Sequence, residues 1–227
     1  PLTPESFSPY GTAITSPLDP SITTTPPPAS ILSTLTPTPV LANQSTALKY
    51  SPISPLTSTY ETCPSNQPAS ARMSMFSCFP RPLRDISVSG DGDKKGVFDI
   101  RILERHPFTT QTFIPMGLPP HQHTPEETFY LVIVAPSLRG TTTTATGETG
   151  EEVTVIDPPD LSRLRAFVAR GDTAVTYAAG TWHAPMVVVG RNRVDFVVVQ
   201  FVNGVEGEDC QEVVFGEGVT VQVENGG

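Results

Sequence analysis

The sequence lacks the cysteine pattern of a disulfide-stabilised protein. Its three cysteines, Cys63, Cys78 and Cys210, are odd in number and scattered, without a C-x-x-C pair. This usage argues against a disulfide framework and favours a reducing compartment. The sequence shows no apolar run of membrane-spanning length and no signal peptide. We therefore expect a cytoplasmic protein from which an initiator methionine before Pro1 has been removed.

Positive charge is also scarce. The 227 residues include 14 Lys and Arg against 23 Asp and Glu, which gives a formal net charge of −9. An acidic chain is a poor partner for nucleic acid or for an anionic membrane surface. The net charge does not exclude an anionic small-molecule substrate, because a binding site is a local arrangement of charges.

Long helical patterns are missing, and short apolar segments separated by Gly, Pro and Asp take their place. This pattern predicts an all-β barrel or sandwich, in a single domain that spans residues 1–227. The 25 prolines require long loops, and the low-complexity segments 16–39 and 137–159 are predicted to be flexible insertions. The predicted strands of the second half are 97–103, 109–115, 128–135, 165–168, 174–177, 185–189 and 195–201.

Smaller signals predict local structure elsewhere. Thr3 followed by Pro4 is typical of a helix N-terminus, so we expect one helical turn there. Residues 160–165 are predicted to form another helical turn or a tight bend. Residues 42–50 are predicted to be a strand with one functional face, and residues 213–223 to form a final hairpin.

The first segment that suggests chemistry is Glu104-Arg105-His106, followed by Gln111. Side chains alternate along a strand, so Glu104 and His106 share one face and Arg105 points away from it. Gln111 follows a proline-containing turn and can fold back onto the face of His106. The pattern E-x-H-x4-Q resembles the metal-binding H-x-H-x3-4-E pattern of cupin barrels, with a carboxylate and an amide replacing two ligands.

The second segment runs from Tyr177 to His183 and contains the only tryptophan, Trp182. Gly180-Thr181-Trp182-His183 matches the G-x-x-H of the second cupin motif. We expect four polar side chains to converge inside a small barrel, with Trp182 as a wall of the pocket; these four are Glu104, His106, Gln111 and His183. The alternative is that they cap strand ends and satisfy backbone groups.

A competing metal pattern precedes residue 128. His121, His123 and Glu127 fit H-x-H-x3-E literally. Prolines interrupt the strand that would aim both histidines inward, so we interpret this segment as a loop and the weaker metal candidate. Those prolines are Pro119, Pro120 and Pro125.

Residues that could bind a substrate anion are few. Lys49 lies in an apolar-flanked stretch, and we expect its ammonium group to face a carboxylate, with Asn43 and Gln44 beside it. A solvated surface lysine is the alternative. Arg165 is a second candidate for the anion, and Tyr177 is a further candidate for substrate contact.

Several long segments, separated by loops, resemble the ureidoglycolate lyase family, in particular its fungal branch. The resemblance covers nearly the whole chain, and its motifs are long and ordered, which makes it specific. The opening Phe7–Gly11 also fits the family. The other segments are Ala42–Lys49, Phe76–Pro80, Leu103–Gly117, Tyr130–Ala135, Asp160–Phe167 and Ala174–Met186.

The resemblance implies a cupin-like (RmlC-like) β-barrel, commonly a homodimer, that splits ureidoglycolate into glyoxylate and urea in allantoin and purine breakdown. Some bacterial members are described as nickel-dependent, so the expected cofactor is a divalent metal or none. Bacterial relatives carry a second histidine after the motif tyrosine, where this chain has Ala178. The alternatives are a metal-dependent oxygenase or isomerase acting on a small acid, or a non-catalytic cupin that only binds a small ligand.

The expected chemistry needs a general base for the substrate hydroxyl and a general acid for the leaving nitrogen. His183 or His106 is expected to take the hydroxyl proton with help from Glu104, and the other histidine or a water to protonate urea. Gln111 is expected to hydrogen-bond the ureido carbonyl, and Lys49 to pair with the carboxylate. If a metal is bound, its predicted ligands are His106, His183, Glu104 and Gln111.

Overall fold

The computed structural model describes residues 2–25, 35–87, 94–120, 127–147, 149–216 and 218–223. Regular structure in these ranges is almost entirely β, which confirms the all-β prediction. The α-helices of this part of the chain are single turns, α1 (Pro4–Phe7) and α2 (Glu206–Asp209), and two 3-10 turns cover Tyr60–Thr62 and Leu161–Arg163. None of the described helices is long and apolar enough to cross a membrane.

The strands are numbered in chain order: β1 (Gly11–Thr15), β2 (Val40–Ala42), β3 (Ala47–Lys49), β4 (Ser70–Cys78), β5 (Arg84–Ser87), β6 (Lys94–Asp99), β7 (Ile102–Arg105), β8 (Gln111–Met116), β9 (Phe129–Ala135), β10 (Thr142–Thr146), β11 (Glu152–Ile156), β12 (Arg165–Ala169), β13 (Thr173–Tyr177), β14 (Trp182–His183), β15 (Val187–Val189), β16 (Val194–Val202), β17 (Gln211–Val214) and β18 (Thr220–Val223).

These strands form two large sheets and two small ones. The five-stranded sheet, here the front sheet, has the order β1-β13-β8-β16-β4. The eight-stranded sheet, here the back sheet, has the order β11-β10-β17-β7-β14-β9-β12, with β15 also paired to β9. A three-stranded cover sheet has the order β18-β6-β5, and β2 and β3 form a two-stranded hairpin.

The front and back sheets face each other across one apolar core. Phe113 and Phe196 of the front sheet pack in the same cluster as Tyr130 and Val132 of the back sheet. The rings of Tyr130 and Phe196 meet edge to face with centroids 5.2 Å apart. Phe7 of α1 is fully buried against this core, which explains why a helix of one turn is retained at the N-terminus.

A second core lies on the other face of the back sheet. Leu103 and Trp182 point from the back sheet into this cluster, and Phe98 and Val221 of the cover sheet pack against them. Both faces of the back sheet are therefore buried over its central strands. Apolar residues on both faces, as in the run Tyr130–Ala135, are the sequence sign of such a strand.

The predicted barrel does not close among the described residues. The front sheet ends at β1 and β4, and the back sheet ends at β11 and β12. Where the chain passes from one sheet to the other, between β7 and β8 and between β13 and β14, it does so through turns and not through a continuous ladder. The architecture is a cupin-like sandwich of two open sheets.

Several local predictions differ from the structure. The predicted strand 97–103 is split between β6 and β7, which belong to different sheets. The predicted hairpin at 213–223 is wrong, because β17 pairs with β7 and β18 pairs with β6. The predicted strand 42–50 is a hairpin, in which Asn43 and Gln44 occupy the turn with positive φ.

The structure describes part of each predicted insertion. The segment 137–159 contains the antiparallel hairpin of β10 and β11. Residues 26–34 of the segment 16–39 lie outside the described residues. The flexibility of both insertions stays a prediction. Both helical turns are confirmed: the Thr3 hydroxyl accepts from the Ser6 amide, and the Asp160 carboxylate accepts from the Ser162 amide.

Candidate active site between the two sheets

The strand register places polar residues in two rows that face each other. In the back sheet, Glu104 pairs with His183 on one side and with Glu212 on the other. In the front sheet, Gln111 pairs with Tyr177 and with Gln200. Directly paired residues of antiparallel strands point their side chains to the same face. Each row therefore presents its polar groups together at one end of the sandwich.

Two chain crossings bring the rows close. Strand β7 leaves the back sheet just before His106, and β8 enters the front sheet at Gln111. Strand β13 leaves the front sheet at Tyr177, and β14 brings His183 into the back sheet. Gly180 has a φ of 77°, a conformation that favours glycine, and its amide donates to the His106 carbonyl at 2.9 Å. The two motifs are thus joined directly through the backbone.

Both histidines direct the same ring nitrogen at a backbone carbonyl. His106 Nδ1 lies 2.6 Å from the Asp209 carbonyl, and His183 Nδ1 lies 3.0 Å from the Thr181 carbonyl. A carbonyl only accepts, so in each ring Nδ1 carries a hydrogen, and the neutral form of each ring keeps its lone pair on Nε2. The two ring centroids are 5.5 Å apart, and both lone pairs belong to buried side chains.

Three buried atoms of this group have no hydrogen-bond partner among the residues that the structure describes: His106 Nε2, His183 Nε2 and Gln111 Oε1. Glu104 Oε1 lies 3.3 Å from His183 Nε2, an ion-pair distance without hydrogen-bond alignment. The ligand atoms of Glu104, His106 and His183 all lie within 4.8 Å of one another. A buried polar atom without a partner costs about 1–3 kcal/mol. Such a concentration of free acceptors indicates a binding site for a cation or a donor-rich ligand.

The family model for ureidoglycolate lyase matches residues 1–222. The chain belongs to the ureidoglycolate lyase family. It is 34% identical to the ureidoglycolate lyase of Schizosaccharomyces pombe, over 92% of this chain and 86% of that protein. The ureidoglycolate lyase of Saccharomyces cerevisiae is also 34% identical, over 87% of this chain and 82% of its own length. The Pseudomonas syringae protein of the same name matches a shorter region, 34% identical over 52% of each chain.

Two neighbouring side chains hold the acceptors of this family member in place. Gln111 Nε2 donates to Gln200 Oε1 at 2.6 Å, which leaves Gln111 Oε1 facing the group. The Tyr177 ring stacks on His183 with centroids 3.9 Å apart and an interplanar angle of 13°. Gln200 escaped the sequence analysis, although a polar residue among the inward-facing apolar residues of β16 was an available signal; those residues are Val194, Phe196, Val198 and Val202.

Burial and charge set the protonation of the site. Burial lowers the pKa of His106, and the neighbouring His183 lowers it further, against the Asp209 carbonyl and the Glu104 charge. Burial alone pushes the pKa of Glu104 upward, but His183 and His106 outweigh burial and the net pKa is lowered. At neutral pH the group therefore contains a neutral His106 beside an ionised Glu104.

These donors fit a divalent metal ion. Two imidazole lone pairs, one carboxylate and one amide oxygen are ligands that first-row divalent ions accept. His106 Nε2, His183 Nε2 and Gln111 Oε1 have no hydrogen-bond partner among the described residues, so each can offer a lone pair to such an ion. A second group shares Glu104, since the ligand atoms of Glu104, Cys210 and Glu212 also lie within 4.8 Å of one another. Cys210 and Glu212 escaped the sequence analysis, and no local motif marks them.

Trp182 lies away from this group. Its ring is fully buried in the second core, on the opposite face of β14 from His183, and its Nε1 donates to the Asp157 carbonyl at 2.9 Å. Arg105 stacks over the ring at 4.7 Å, so it points away from Glu104 and His106 as the alternation predicts. The expected role of Trp182 as a pocket wall beside His183 is therefore wrong, because adjacent strand residues face opposite sides.

The predicted anion-binding residues are dispersed. Asn43, Gln44 and Lys49 are exposed on the β2–β3 hairpin, which is not part of either large sheet. Arg165 is exposed on the edge strand β12, and it pairs with Val134, which also pairs with His183. Of the four, Arg165 alone shares a sheet face with His183.

The competing metal pattern is only partly visible. His121 and His123 lie outside the described residues. Glu127 Oε1 accepts from Arg170 Nε at 3.0 Å, and Glu127 Oε2 accepts from Arg170 Nη2 at 3.2 Å. This bidentate ion pair gives Glu127 a structural role, and a metal role for the pattern stays a prediction.

Proposed function

We propose that this chain is a ureidoglycolate lyase that cleaves ureidoglycolate to glyoxylate and urea in allantoin breakdown. The observation that carries the proposal is the set of three buried acceptors without partners beside an ionised carboxylate. A ureido group offers three N–H donors and the neighbouring hydroxyl offers a fourth. Family membership supports the same substrate.

The proposed reaction moves one proton within the site. A histidine Nε2 takes the proton of the substrate hydroxyl, the O–H electrons form the aldehyde C=O, and the C–N bond breaks towards nitrogen. The leaving nitrogen then takes a proton and departs as urea, so that atoms and charge balance. We assign the base to His183, because Glu104 lies 3.3 Å from its Nε2 and stabilises the imidazolium that forms.

His106 and Gln111 have acceptor roles in this scheme. The neutral His106 keeps a lone pair on Nε2, and the free atom of Gln111 is Oε1. Both atoms match ureido N–H groups, so Gln111 is assigned to an N–H donor and not to the ureido carbonyl as expected from sequence. We assign the proton that the leaving nitrogen takes to His183 as well. The same imidazole that removes the hydroxyl proton as a base can then donate it as an acid.

A divalent metal fits the same residues. His106 Nε2, His183 Nε2, Glu104 and Gln111 Oε1 are the proposed ligands. Such an ion, when bound, supplies a Lewis acid that lowers the pKa of a coordinated hydroxyl. The substrate carboxylate also needs a cation, and we propose Arg165 for it, with Lys49, Asn43 and Gln44 as further substrate contacts if the hairpin approaches the site.

One assay tests the proposed function. The purified protein is incubated with ureidoglycolate, and glyoxylate, urea and ammonia are measured before and after chelation. Urea and glyoxylate without ammonia are the expected products. Ammonia as a product identifies an amidohydrolase instead. Absence of product, with oxygen uptake or isomerisation of another small acid, supports the alternative cupin enzymes, and binding without turnover supports a ligand-binding cupin.

We further propose a cytoplasmic homodimer that pairs through β4. This nine-residue strand is an edge of the front sheet, and Met73 and Met75 are exposed on it. A long edge strand with exposed apolar side chains invites pairing with another strand. Antiparallel pairing of two β4 strands gives a closed two-fold dimer. Light scattering should give a dimer for the wild type and a monomer for Met75→Arg.

A further inference from the structure

Asp209 connects His106 to a part of the chain that has no role in the site described so far. The Asp209 backbone carbonyl accepts from His106 Nδ1 at 2.6 Å. Its carboxylate Oδ1 accepts from the Tyr60 hydroxyl at 2.6 Å and from the Asn203 amide at 2.8 Å. Its Oδ2 accepts from the Gly204 amide at 2.8 Å. One residue therefore holds the histidine with its carbonyl and is itself held by three donors.

Tyr60 fastens this arrangement to the crossing between β7 and β8. It is buried in a 3-10 turn, and its ring lies 5.6 Å from that of Phe108. The Thr59 amide donates to the Phe108 carbonyl at 2.7 Å, and the Thr110 amide donates to the Thr57 carbonyl at 3.1 Å. The segment around Tyr60 thus contacts both sides of His106, through the crossing that follows it and through Asp209.

Glu208 secures the same connection from its neighbouring position. Its carboxylate accepts from the Ser65 amide at 2.7 Å, the Ser65 hydroxyl at 2.6 Å and Asn203 Nδ2 at 2.6 Å. Despite its burial, these hydrogen bonds lower the pKa of Glu208 to about 2, so the carboxylate stays ionised at neutral pH. The loop between β16 and β17 is thereby tied to residues 60–65 at two successive acidic side chains.

The carbonyl of Asp209 decides which tautomer His106 adopts. A neutral imidazole carries its hydrogen on whichever nitrogen has an acceptor, and the Asp209 carbonyl supplies that acceptor at Nδ1. If the carbonyl moves away, the hydrogen can occupy Nε2, which then turns from an acceptor into a donor. The site would lose one of its three free acceptors without any change in the residues that line it.

We propose that Tyr60 and Asp209 are positioning residues that hold His106 in its Nδ1–H tautomer, with the Asp209 carboxylate fixing the carbonyl and Tyr60 fixing the carboxylate. Neither residue supplies one of the three free acceptors. Burial, and then the hydrogen bond to Asp209, raise the pKa of Tyr60, so its hydroxyl remains a donor throughout the physiological range. The proposed lyase function is needed only for the kinetic readout of this inference.

The test compares Tyr60→Phe with Tyr130→Phe in the full chain. Tyr60→Phe keeps the ring on Phe108 and removes only the hydroxyl. Tyr130 is the matched control, because it is a buried tyrosine whose hydroxyl also donates a hydrogen bond, here to the Thr173 carbonyl and away from the site. We expect Tyr60→Phe to lower kcat about tenfold with little change in KM, as loss of a supporting partner does. Tyr130→Phe should leave kcat within about twofold.

A spectroscopic measurement reports the tautomer without substrate. Nitrogen-15 NMR of the histidine rings, assigned with His106→Asn, should show Nδ1–H for His106 in the wild type and in Tyr130→Phe. Tyr60→Phe should shift the His106 signals towards Nε2–H. An unchanged His106 pattern in Tyr60→Phe, or equal kinetic losses in the two variants, overturns the inference.

Asp209→Asn provides a second variant in case Tyr60→Phe unfolds, since it keeps the carbonyl and the side-chain size. It should shift the same NMR signals, and a folded Asp209→Asn with the wild-type His106 pattern also overturns the inference. A wild-type protein that lacks lyase activity contradicts the proposed function alone, because the NMR comparison needs no turnover.

Discussion

The two faces of strands β7 and β14 carry polar groups of opposite character. On the outer face, Arg105 stacks on Trp182 and donates to Gln211 Oε1 and to the Asp157 carbonyl. On the inner face, His106 Nε2 and His183 Nε2 are buried with no hydrogen-bond partner in the described part of the chain. The same two strands therefore support one satisfied polar cluster and one unsatisfied cluster.

This difference distinguishes buried polar groups that stabilise the fold from buried polar groups that are available to bind a ligand. A buried cation that stacks on an aromatic ring and has its donors satisfied contributes to the fold. Buried acceptors without donors lower stability unless a ligand supplies the missing partners. Residue type alone makes Arg105 and Trp182 as suggestive as His106, and only the count of satisfied partners tells them apart.

The largest expected effect is on stability, from a substitution on the outer face. Trp182→Ala removes a fully buried indole from the second core and leaves Arg105 without its ring. We expect a loss of about 3–5 kcal/mol in the free energy of unfolding, because a large buried side chain is replaced by a cavity. Denaturant unfolding measures it. A loss below about 1 kcal/mol would contradict the structural role assigned to this face.

The next effect is on turnover, from a substitution on the inner face. His183→Ala should lower kcat at least ~100-fold, because it removes the proposed acid–base group. The free energy of unfolding should fall by less than in Trp182→Ala, because the lost imidazole is smaller than an indole, although its stacking on Tyr177 and its hydrogen bond to the Thr181 carbonyl are lost. Steady-state kinetics and denaturant unfolding of the same sample give both numbers. Near-normal turnover would exclude His183 from the reaction, with or without a metal.

A third experiment compares the two faces by adding a metal ion that can bind the acceptors of the inner face. Ni²⁺ at 100 times its dissociation constant should stabilise the wild type by about 2.7 kcal/mol, because it binds only the folded state. Calorimetry with and without a chelator measures the shift in Tm. His106→Ala should abolish the shift, whereas Arg105→Lys should retain it. An equal shift in His106→Ala would place any cation elsewhere.

The smallest effect concerns the support of the inner face. Gln200→Leu removes the acceptor of Gln111 Nε2 and frees the Gln111 amide to rotate. We expect kcat/KM to fall about tenfold, as is usual when a supporting hydrogen-bond partner is lost. Gln200→Glu keeps an acceptor and should lose less. If both variants behave alike, Gln200 does not orient Gln111.

Much of the site was visible in the two motifs before the structure. Period-two alternation indicates that Glu104 and His106 share a face and that Arg105 does not, and the G-x-x-H spacing indicates His183. The same rule applied to β14 would have separated Trp182 from His183. The predicted cupin-like barrel does not close among the described residues, because sequence pattern identifies strands but not whether the two edges of a sheet meet.

The supporting residues were beyond the reach of local pattern. Gln200 and Asp209 lie far from the motifs in sequence, and each acts through a single hydrogen bond to a motif residue. The apolar neighbours of Lys49 favoured a role in binding the substrate carboxylate. The left-handed turn at Asn43 and Gln44, however, folds that segment into a hairpin on which Lys49 is exposed. Local composition carries no information about which sheet a short strand joins.

The sequence by itself determined the strand class, the alternation that sorts Glu104 and His106 from Arg105, and the chemical types of the acceptors. These properties depend on backbone period and on side-chain chemistry, which neighbouring residues fix. The tertiary structure alone decided that Glu104 pairs with His183 and that Gln111 lies in the other sheet. It also decided that the three free acceptors have no partner within the described ranges. Those facts depend on long-range strand register, and register is set by how whole sheets bury their apolar faces.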